Sequence, residues 1–368
     1  MGTEQNRSGD RQEPADGRRA GGERVPRAET QRRNRARVLA AARHEFTERG
    51  FRDAKIDRIA ERAKLTRGAV YSNFPGKRAL YFSVLAEDAE QAPADPRPGR
   101  TVPDALAALA SAWLSPLPLA TDGPDWLGRD LVPEILADEH TRRPYAELLA
   151  LQAIALGFGL EALPPRRGHR LVRVAAAALT TLHGAGQLAV AAPGFADPFD
   201  VVETCRGLAG LDLADDWSPP HAGYAPAARP VDAPWAPPAA VDALRAEPVR
   251  PGGDGVVAVL GLHRLSAVEE ALRLCPVTAV LVTGEPRELD PLVRLVLAEL
   301  RSCLRHALPE SAWPRLSLVH DGAAAVAAAA GVRAVSDETE TAVRVRDGRI
   351  VARADGRGAC HAAASVPD

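Results

Sequence analysis

The chain has 368 residues, more than one hydrophobic core normally organises, so two or three structural units are expected. The formal net charge of −2 leaves no overall basic excess, and any contact with nucleic acid must come from a local patch. The four cysteines lie far apart without a Cys-x-x-Cys, which argues against a disulfide framework or a zinc site and indicates a reduced, cytoplasmic protein. No apolar stretch approaches the roughly 18 uninterrupted residues of a membrane span, so no membrane partner is expected.

Residues 1–27 are rich in Gly, Arg, Glu, Asp and Gln and hold little that could be buried, so they are predicted to form a disordered tail. Residues 28–90 follow as a unit of four short predicted helices. Arginines crowd the entry to its first helix, and all three lysines of the chain, Lys55, Lys64 and Lys77, fall within it. A local basic patch therefore coincides with this unit, although a general preference for arginine explains the lysine placement equally well.

The first two predicted helices each carry one apolar face. Apolar residues recur at three- and four-residue steps in both, as expected for helices that pack on a common core. Gly50 can end the first helix with a positive φ, and Phe51 fills the corner that follows. The apolar positions are Val38, Ala41, Ala42 and Phe46 in the first helix, and Ile56, Ile59, Ala60 and Ala63 in the second.

The third predicted helix begins after Thr66, a good N-cap residue. Such a short helix is unstable alone, so it must dock through Val70 and Phe74 and present its other face outward. A short exposed helix after a tight turn is what a helix-turn-helix places in the major groove of DNA. In this interpretation Arg67 reads guanine or holds a phosphate, and the Tyr71 hydroxyl donates to a phosphate. The predicted DNA-contacting residues are Lys55, Thr66, Arg67, Gly68, Ala69, Tyr71, Ser72 and Lys77, the last at a helix start where an ammonium suits a phosphate.

Residues 35–86 resemble the N-terminal domain of the TetR family of transcriptional repressors. The shared pattern is an apolar-Ala-Ala-x-x-x-Phe first helix, a Gly-aromatic corner, Ile-Ala-x-x-Ala, Gly-x-x-Tyr-x-x-Phe, and Lys77 followed by Leu80. The resemblance implies a homodimer on a double-stranded DNA operator, released by a small-molecule effector. It also implies that residues 171–190 and 198–211 form the dimer helices and that residues 102–160 build the effector pocket.

Two positions depart from the family pattern. Ala54 stands where the family usually has a threonine that caps the second helix and touches phosphate, and Lys64 replaces the usual glycine of the turn. We expect Asp53 to act as the cap and Lys55 to supply the phosphate contact instead.

Residues 91–213 are predicted to be an all-helical regulatory and dimerisation domain. Trp113, Trp126 and Phe158 are candidate lining residues of the effector pocket, with core packing as the favoured alternative. His169 and His183 lack partners at metal-ligand spacing, so neither a metal site nor a cofactor is predicted.

The prolines of residues 214–253 predict a semi-rigid linker, with a short helix around residues 241–247. Residues 254–368 then alternate apolar strands at 256–262, 279–283 and 316–320 with helices at 267–274, 289–307 and 323–330. Asp347–Gly348 between two alternating segments, residues 341–346 and 349–353, predicts a final hairpin. The fold class is therefore multidomain, with an all-α N-terminal two-thirds and a C-terminal α/β domain.

The order of elements in the α/β domain resembles the thioredoxin-like fold. Redox members of that fold carry Cys-x-x-Cys after the first strand and a cis proline before the hairpin. Here the first position reads Leu262-His263-Arg264-Leu265 and residues 336–340 contain no proline, so no catalytic residue is predicted. Cys360 beside His361 is the best candidate for a reactive thiol, and His263, His320 and Asp321 at strand ends could line a small-ligand pocket.

The leading interpretation is a DNA-binding transcriptional repressor and not an enzyme. Two alternatives place the main activity in the C-terminal domain: a thioredoxin-like or other α/β enzyme, and a redox or metabolite sensor.

Overall fold

A computed structural model of the chain describes residues 27–92, 95–117, 126–165, 168–218, 227–249, 251 and 253–367. The predicted N-terminal tail, up to residue 26, lies outside the described residues. At its first described residue the chain enters a helix, and helices follow one another as far as residue 208.

The first four helices are α1 (Arg27–Asp53), α2 (Ile56–Arg62), α3 (Arg67–Asn73) and α4 (Lys77–Gln91). Gly50 breaks α1 with φ of 70°, as its predicted role as a helix stop requires. The predicted apolar faces pack together with α4. The largest fully buried side chains of this four-helix unit are Tyr81, Phe46, Phe74, Phe82 and Ile59. The predicted succession of helices is confirmed.

The turn between α2 and α3 has a complete helix-ending motif. Lys64 N donates to Glu61 O and Leu65 N donates to Ala60 O, both at 2.9 Å, which is the Schellman arrangement. Lys64 takes the left-handed conformation with φ of 53°, where a glycine is normally found. The turn thus forms without the family's glycine.

The cap of α2 was predicted incorrectly. Lys55, not Asp53, is the N-cap residue of α2, and no side chain accepts a hydrogen bond from the free amides of its first turn. Asp53 instead ends α1, because the chain stays helical beyond the Gly50 break.

Five further helices and one 3₁₀ turn build the regulatory region. They are α5 (Val102–Leu114), the 3₁₀ turn Leu127–Asp130, α6 (Leu131–Leu136), α7 (Glu139–Glu161), α8 (Val172–Ala191) and α9 (Pro198–Leu208). Helix α8 is, contrary to the sequence expectation, long and apolar enough to cross a membrane by length and composition alone. It packs against α5, α7 and α9, as the core helix of a folded domain does.

The predicted linker is folded over its second half. Strand β1 (Arg229–Pro234) joins the main sheet as its edge strand, where a missing N–H is tolerated. Strands β2 (Ala240–Asp242) and β3 (Glu247–Val249) form a small hairpin where a short helix was expected. The prediction of a linker running to residue 253 is therefore wrong, because these residues belong to the α/β domain.

The main sheet has six strands in the order β1-β8-β7-β4-β5-β6. Strands β4 (Gly255–Gly261), β5 (Val277–Val282) and β6 (Leu316–His320) are parallel, and β7 (Glu340–Arg346) and β8 (Arg349–Asp355) form the predicted antiparallel hairpin. Helices α10 (Val268–Leu272), α11 (Pro286–Ala307), α12 (Ala325–Ala329) and α13 (Ala359–Ala364) complete the domain. The mixed sheet is as predicted, while the thioredoxin-like resemblance remains a prediction.

The α/β domain is docked onto the helical part and does not hang from a linker. Helix α11 packs along α4, α5 and α7, and one apolar cluster runs from α1 through these helices into β4 and β5. Two polar contacts hold α11 in position against α4 and α7. Arg294 pairs with Glu90 at 2.8 Å, and Gln152 donates to the carbonyl of Val296 at 3.3 Å. The two parts therefore share a continuous core.

Candidate DNA-binding surface and effector cavity

Helix α3 presents the face that the sequence predicted. Thr66 caps it, because its Oγ1 accepts from the amide of Ala69 at 3.2 Å. Val70 is fully buried and holds the helix against its neighbours, while Tyr71 keeps 38% of its surface exposed. Thr66, Arg67, Gly68 and Ser72 are exposed, and Ala69 is half-buried. The outward face of α3 itself contains no acidic residue.

Arg67 and Tyr71 lie side by side on this face. The Arg67 guanidinium stands 5.6 Å from the Tyr71 ring centre and 3.4 Å from a carboxylate oxygen of Asp57 on α2. A hydrogen bond to Tyr71 and the charge of Asp57 raise the pKa of Arg67 above its usual value. Because these groups are exposed, the Asp57 pair is weak and can be exchanged for a phosphate or a base edge.

Lys77 does not have the role that was predicted for it. Its Nζ donates to the carbonyl oxygens of Phe51, Arg52 and Ala54 at 2.8, 3.2 and 3.1 Å, and it lies 4.4 Å from the Phe51 ring centre. An ammonium has three N–H groups, and all three are used here. Lys77 therefore ties α4 to the end of α1 and is not free to hold a phosphate.

The candidate residues of the α/β domain form no reactive site. All four cysteines are buried, and burial raises the pKa of the Cys360 thiol well above its usual value, so Cys360 is not a reactive thiol. His263 contacts Glu338 at 3.2 Å, His320 contacts Asp290 at 2.8 Å, and Asp321 caps α12. Among the described residues no group of three or more His, Cys, Asp or Glu could hold a metal ion.

A cavity of about 440 Å³ lies between the helical region and α11. This volume falls in the range of small-molecule sites. Trp113 and Trp126 line it, as predicted, but Phe158 does not: it packs under the guanidinium of Arg273 at 4.0 Å, away from the cavity. The described walls come from α1, α4, α5, the 3₁₀ turn, α6, α8 and α11. The expectation that residues 102–160 build the pocket therefore holds only in part.

Three buried polar groups in or beside this cavity have no hydrogen-bond partner among the described residues. They are Oε2 of Glu299, Nε2 of His183 and the hydroxyl of Tyr145. Burial raises the pKa of Glu299 to about 7 and lowers that of His183 to about 4, so His183 is neutral near neutral pH. No sequence signal pointed to Glu299, because it lines the cavity only through the docking of α11 from the α/β domain onto the helical region.

The 3₁₀ turn joins the cavity to the DNA-binding helices. Leu127 and Gly128 line the cavity, and the carbonyl of Leu127 accepts from the Tyr81 hydroxyl of α4. The carboxylate of Asp130 accepts from the amide of Phe51 at 2.8 Å. A displacement of this wall would therefore reach the corner between α1 and α2.

The docked α3, its cap and the preceding turn define a helix-turn-helix DNA-binding domain. Residues 38–84 match the family model described as bacterial regulatory proteins, tetR family. This part of the chain is therefore similar to the DNA-binding segment of TetR-family regulators.

Individual relatives are similar over the same region. The chain is 40% identical over 72 residues to the HTH-type transcriptional activator FasR of Mycolicibacterium smegmatis, and 46% identical over 52 residues to the HTH-type transcriptional regulator SrpR of Pseudomonas putida. These alignments cover 20% and 14% of this chain, and only 31% and 24% of the relatives. A solved TetR transcriptional regulator from Rhodococcus sp. RHA1 aligns over 50% of this chain and 99% of its own, with 18% identity and a TM-score of 0.33.

Proposed function

We propose that the chain is a one-component transcriptional regulator of the cytoplasm that binds a DNA operator as a homodimer and is released by a small-molecule effector. The observation that carries this proposal is the exposed, acid-free face of α3, held rigidly by Val70 and by the Thr66 cap. Because α3 is held in place by α1 and α2, it is already ordered before it enters a major groove. We propose that the DNA-bound protein represses transcription.

The proposed DNA contacts are Lys55, Thr66, Arg67, Gly68, Ala69, Tyr71 and Ser72. Arg67 is the candidate for reading a base, because its guanidinium can bind both acceptors of a guanine edge. Lys55 and Tyr71 are candidates for phosphate contacts, which position the protein without reading the sequence. Ala69 is half-buried and contributes through its backbone and methyl group.

The proposed dimer surface lies on α8 and α9. Phe195 and Phe199 expose 75% and 80% of their surfaces, and Leu188 and Val190 on α8 are also exposed. Apolar side chains grouped in this way indicate a protein interface. A second copy of the chain would place two α3 helices on successive half-sites of a near-palindromic operator.

A mobility-shift titration with the DNA upstream of the protein's own coding region tests the proposal. The protein should bind this DNA more tightly than a random duplex of equal length, and affinity should fall steeply with salt because phosphate contacts release counterions. Equal affinity for both duplexes, or affinity that salt does not change, would contradict the proposal.

A Gly68→Ala variant separates the DNA contact from folding. A Cβ at Gly68 would meet only Thr66 Oγ1 at 3.9 Å, so the folded protein has room for it. Alanine should stabilise α3 by about 0.5–1 kcal/mol, since glycine is a poor helix former. Operator affinity should nevertheless fall, because the added methyl group stands where the duplex backbone approaches. Unchanged operator affinity would show that α3 does not contact the DNA at Gly68.

A further inference from the structure

The wall that α11 contributes to the cavity carries most of its ionisable groups. Leu295, Glu299, Ser302, Cys303 and His306 recur at three- and four-residue steps and thus lie on one face of α11. The cavity is therefore composite: the helical region supplies mainly apolar and aromatic walls, and the α/β domain supplies a carboxyl group.

Glu299 is the group in this wall that lacks a partner. Glu299 is half-buried and lines the cavity, and within the described part of the chain no group donates a hydrogen bond to its Oε2 or forms one with Nε2 of His183. A buried polar atom without a partner is energetically unfavourable, and native proteins seldom leave one without a reason. A ligand that donates hydrogen bonds would supply the missing partner.

The charges around the cavity favour a cation. No Lys or Arg occurs among the described lining residues. Of the two acidic residues that line the described part of the cavity, Asp88 is paired with Arg43 and Glu299 is not paired with a cation. The indole rings of Trp113 and Trp126 add faces that attract a positive charge.

We propose that the cavity binds an apolar organic amine, with its ammonium group on Glu299 and its hydrocarbon body against Trp113, Trp126 and the leucines of α4 and α5. This inference rests on the proposed function, since it assigns a chemical class to the effector. A carboxylate of the same shape is disfavoured by repulsion from ionised Glu299, and a neutral ligand forgoes the ion pair. The C-terminal domain thereby takes part in recognition of the effector.

The test uses three ligands of one skeleton: 4-phenylbutylamine, 4-phenylbutanol and 4-phenylbutanoate. Binding to the full-length protein without DNA is measured by isothermal titration calorimetry and by quenching of tryptophan fluorescence. The amine should bind about tenfold or more tightly than the alcohol, and the carboxylate should bind weakest, because a charge-assisted hydrogen bond outweighs a neutral one. Equal affinity for the amine and the alcohol, or no amine binding at millimolar concentration, would overturn the proposal.

Glu299→Gln tests the assigned residue while keeping the size of the side chain. It should weaken amine binding about tenfold and leave the alcohol unchanged, since only the charge is removed. Glu288→Gln, an exposed position in the first turn of α11, is the matched control and should change neither affinity. Unaltered amine binding in Glu299→Gln would refute the assignment.

These measurements are independent of the regulatory proposal. Amine binding that depends on Glu299 but never alters operator affinity would uphold the site and contradict its role as an effector site. If the protein binds its operator but shows no preference for the amine, the regulatory proposal stands and the amine site is refuted.

Discussion

Lys64 occupies a backbone conformation that its side chain disfavours. Its φ of 53° lies in the left-handed region, where a Cβ costs about 1–2 kcal/mol relative to glycine. The turn nevertheless keeps both hydrogen bonds of the helix-ending motif, so the cost is met by the packing of α2 and α3 around it. This makes Lys64 a site where the stability of the DNA-binding domain is below its optimum.

Lys64→Gly should therefore stabilise the protein. The strain energy that is relieved exceeds the extra entropic cost of ordering a glycine on folding. The free energy of unfolding should therefore increase by about 0.5–1 kcal/mol. Urea denaturation followed by far-UV ellipticity measures it. Lys64→Ala removes the same charge but keeps the strained Cβ, so it should show no such gain. Equal stability of the two variants would mean that the backbone of Lys64 is unstrained.

Glu299 gives the free energy of unfolding a defined dependence on pH. Burial raises its pKa to about 7 in the folded protein, above the ordinary value of 4.5. Between about pH 4.5 and pH 7 the carboxyl group is ionised in the unfolded chain but still protonated in the folded protein. The free energy of unfolding therefore falls over this range and is level above it. The titratable groups around the cavity that accompany Glu299 are Asp88, Tyr145, His183, Cys303 and His306.

Glu299→Gln should remove this part of the pH dependence. The free energy of unfolding of the variant, compared with that of the wild type, should increase by roughly 2 kcal/mol as the pH rises from about 5 to about 8. Urea unfolding at both pH values measures the difference. Glu270, whose pKa burial also raises to about 7, keeps its own contribution in both proteins. Parallel pH profiles for wild type and variant would show that Glu299 is ionised in the folded state.

At the scale of elements, the 3₁₀ turn Leu127–Asp130 is the shortest path from the cavity to the DNA-binding helices. It lines the cavity with Leu127 and reaches the α1–α2 corner with Asp130. Beyond it, Arg78 of α4 pairs with Glu134 and Asp138 at 3.2 and 2.7 Å, which fixes α6 on the same helix. A ligand that shifts this turn would move α4 and the corner together.

Asp130→Ala should loosen that corner. The amide of Phe51 loses its acceptor, so its hydrogen exchange should accelerate and the free energy of unfolding should drop by about 1–2 kcal/mol. Asp130→Asn retains an oxygen that can accept the same hydrogen bond and should stay close to the wild type. Exchange is read by mass spectrometry of peptides that contain residues 50–54. Equal exchange rates in the alanine and asparagine variants would show that the hydrogen bond from the Phe51 amide to Asp130 does not hold this corner in place.

Elements set by local pattern were predictable from the sequence, and those set by distant partners were not. The helices of the DNA-binding domain, the Thr66 cap and the β7–β8 hairpin follow from apolar periodicity, capping and turn chemistry. Strand β1 was missed because it is defined by pairing with β8, more than a hundred residues away in sequence. The role of Lys77 was misjudged for a related reason: its three carbonyl acceptors lie across a tertiary contact.

On the scale of the whole molecule, the helical region and the α/β domain form one cooperative body. The apolar cluster crosses between them without a gap, and Gly159 of α7 marks the tightest approach. A Cβ at Gly159 would lie 2.2 Å from Leu308 Cδ1 and 3.3 Å from the carbonyl oxygen of Ala312, so only a glycine fits there without displacement. The two parts are therefore tightly packed against each other, and α11, which lines the cavity, packs directly on α4.

Gly159→Ala should destabilise the protein as a whole, by roughly 1 kcal/mol, because overpacking of the interface outweighs the better helix propensity of alanine. Unfolding in urea, followed by far-UV ellipticity for the helices and by tryptophan fluorescence for both parts, should remain one transition that shifts equally for both signals. Gly184→Ala on α8, where a Cβ meets nothing within 4 Å, should instead stabilise by about 0.5–1 kcal/mol. Two separate transitions in either protein would show that the domains unfold independently, and the effector signal would then have to travel through the 3₁₀ turn alone.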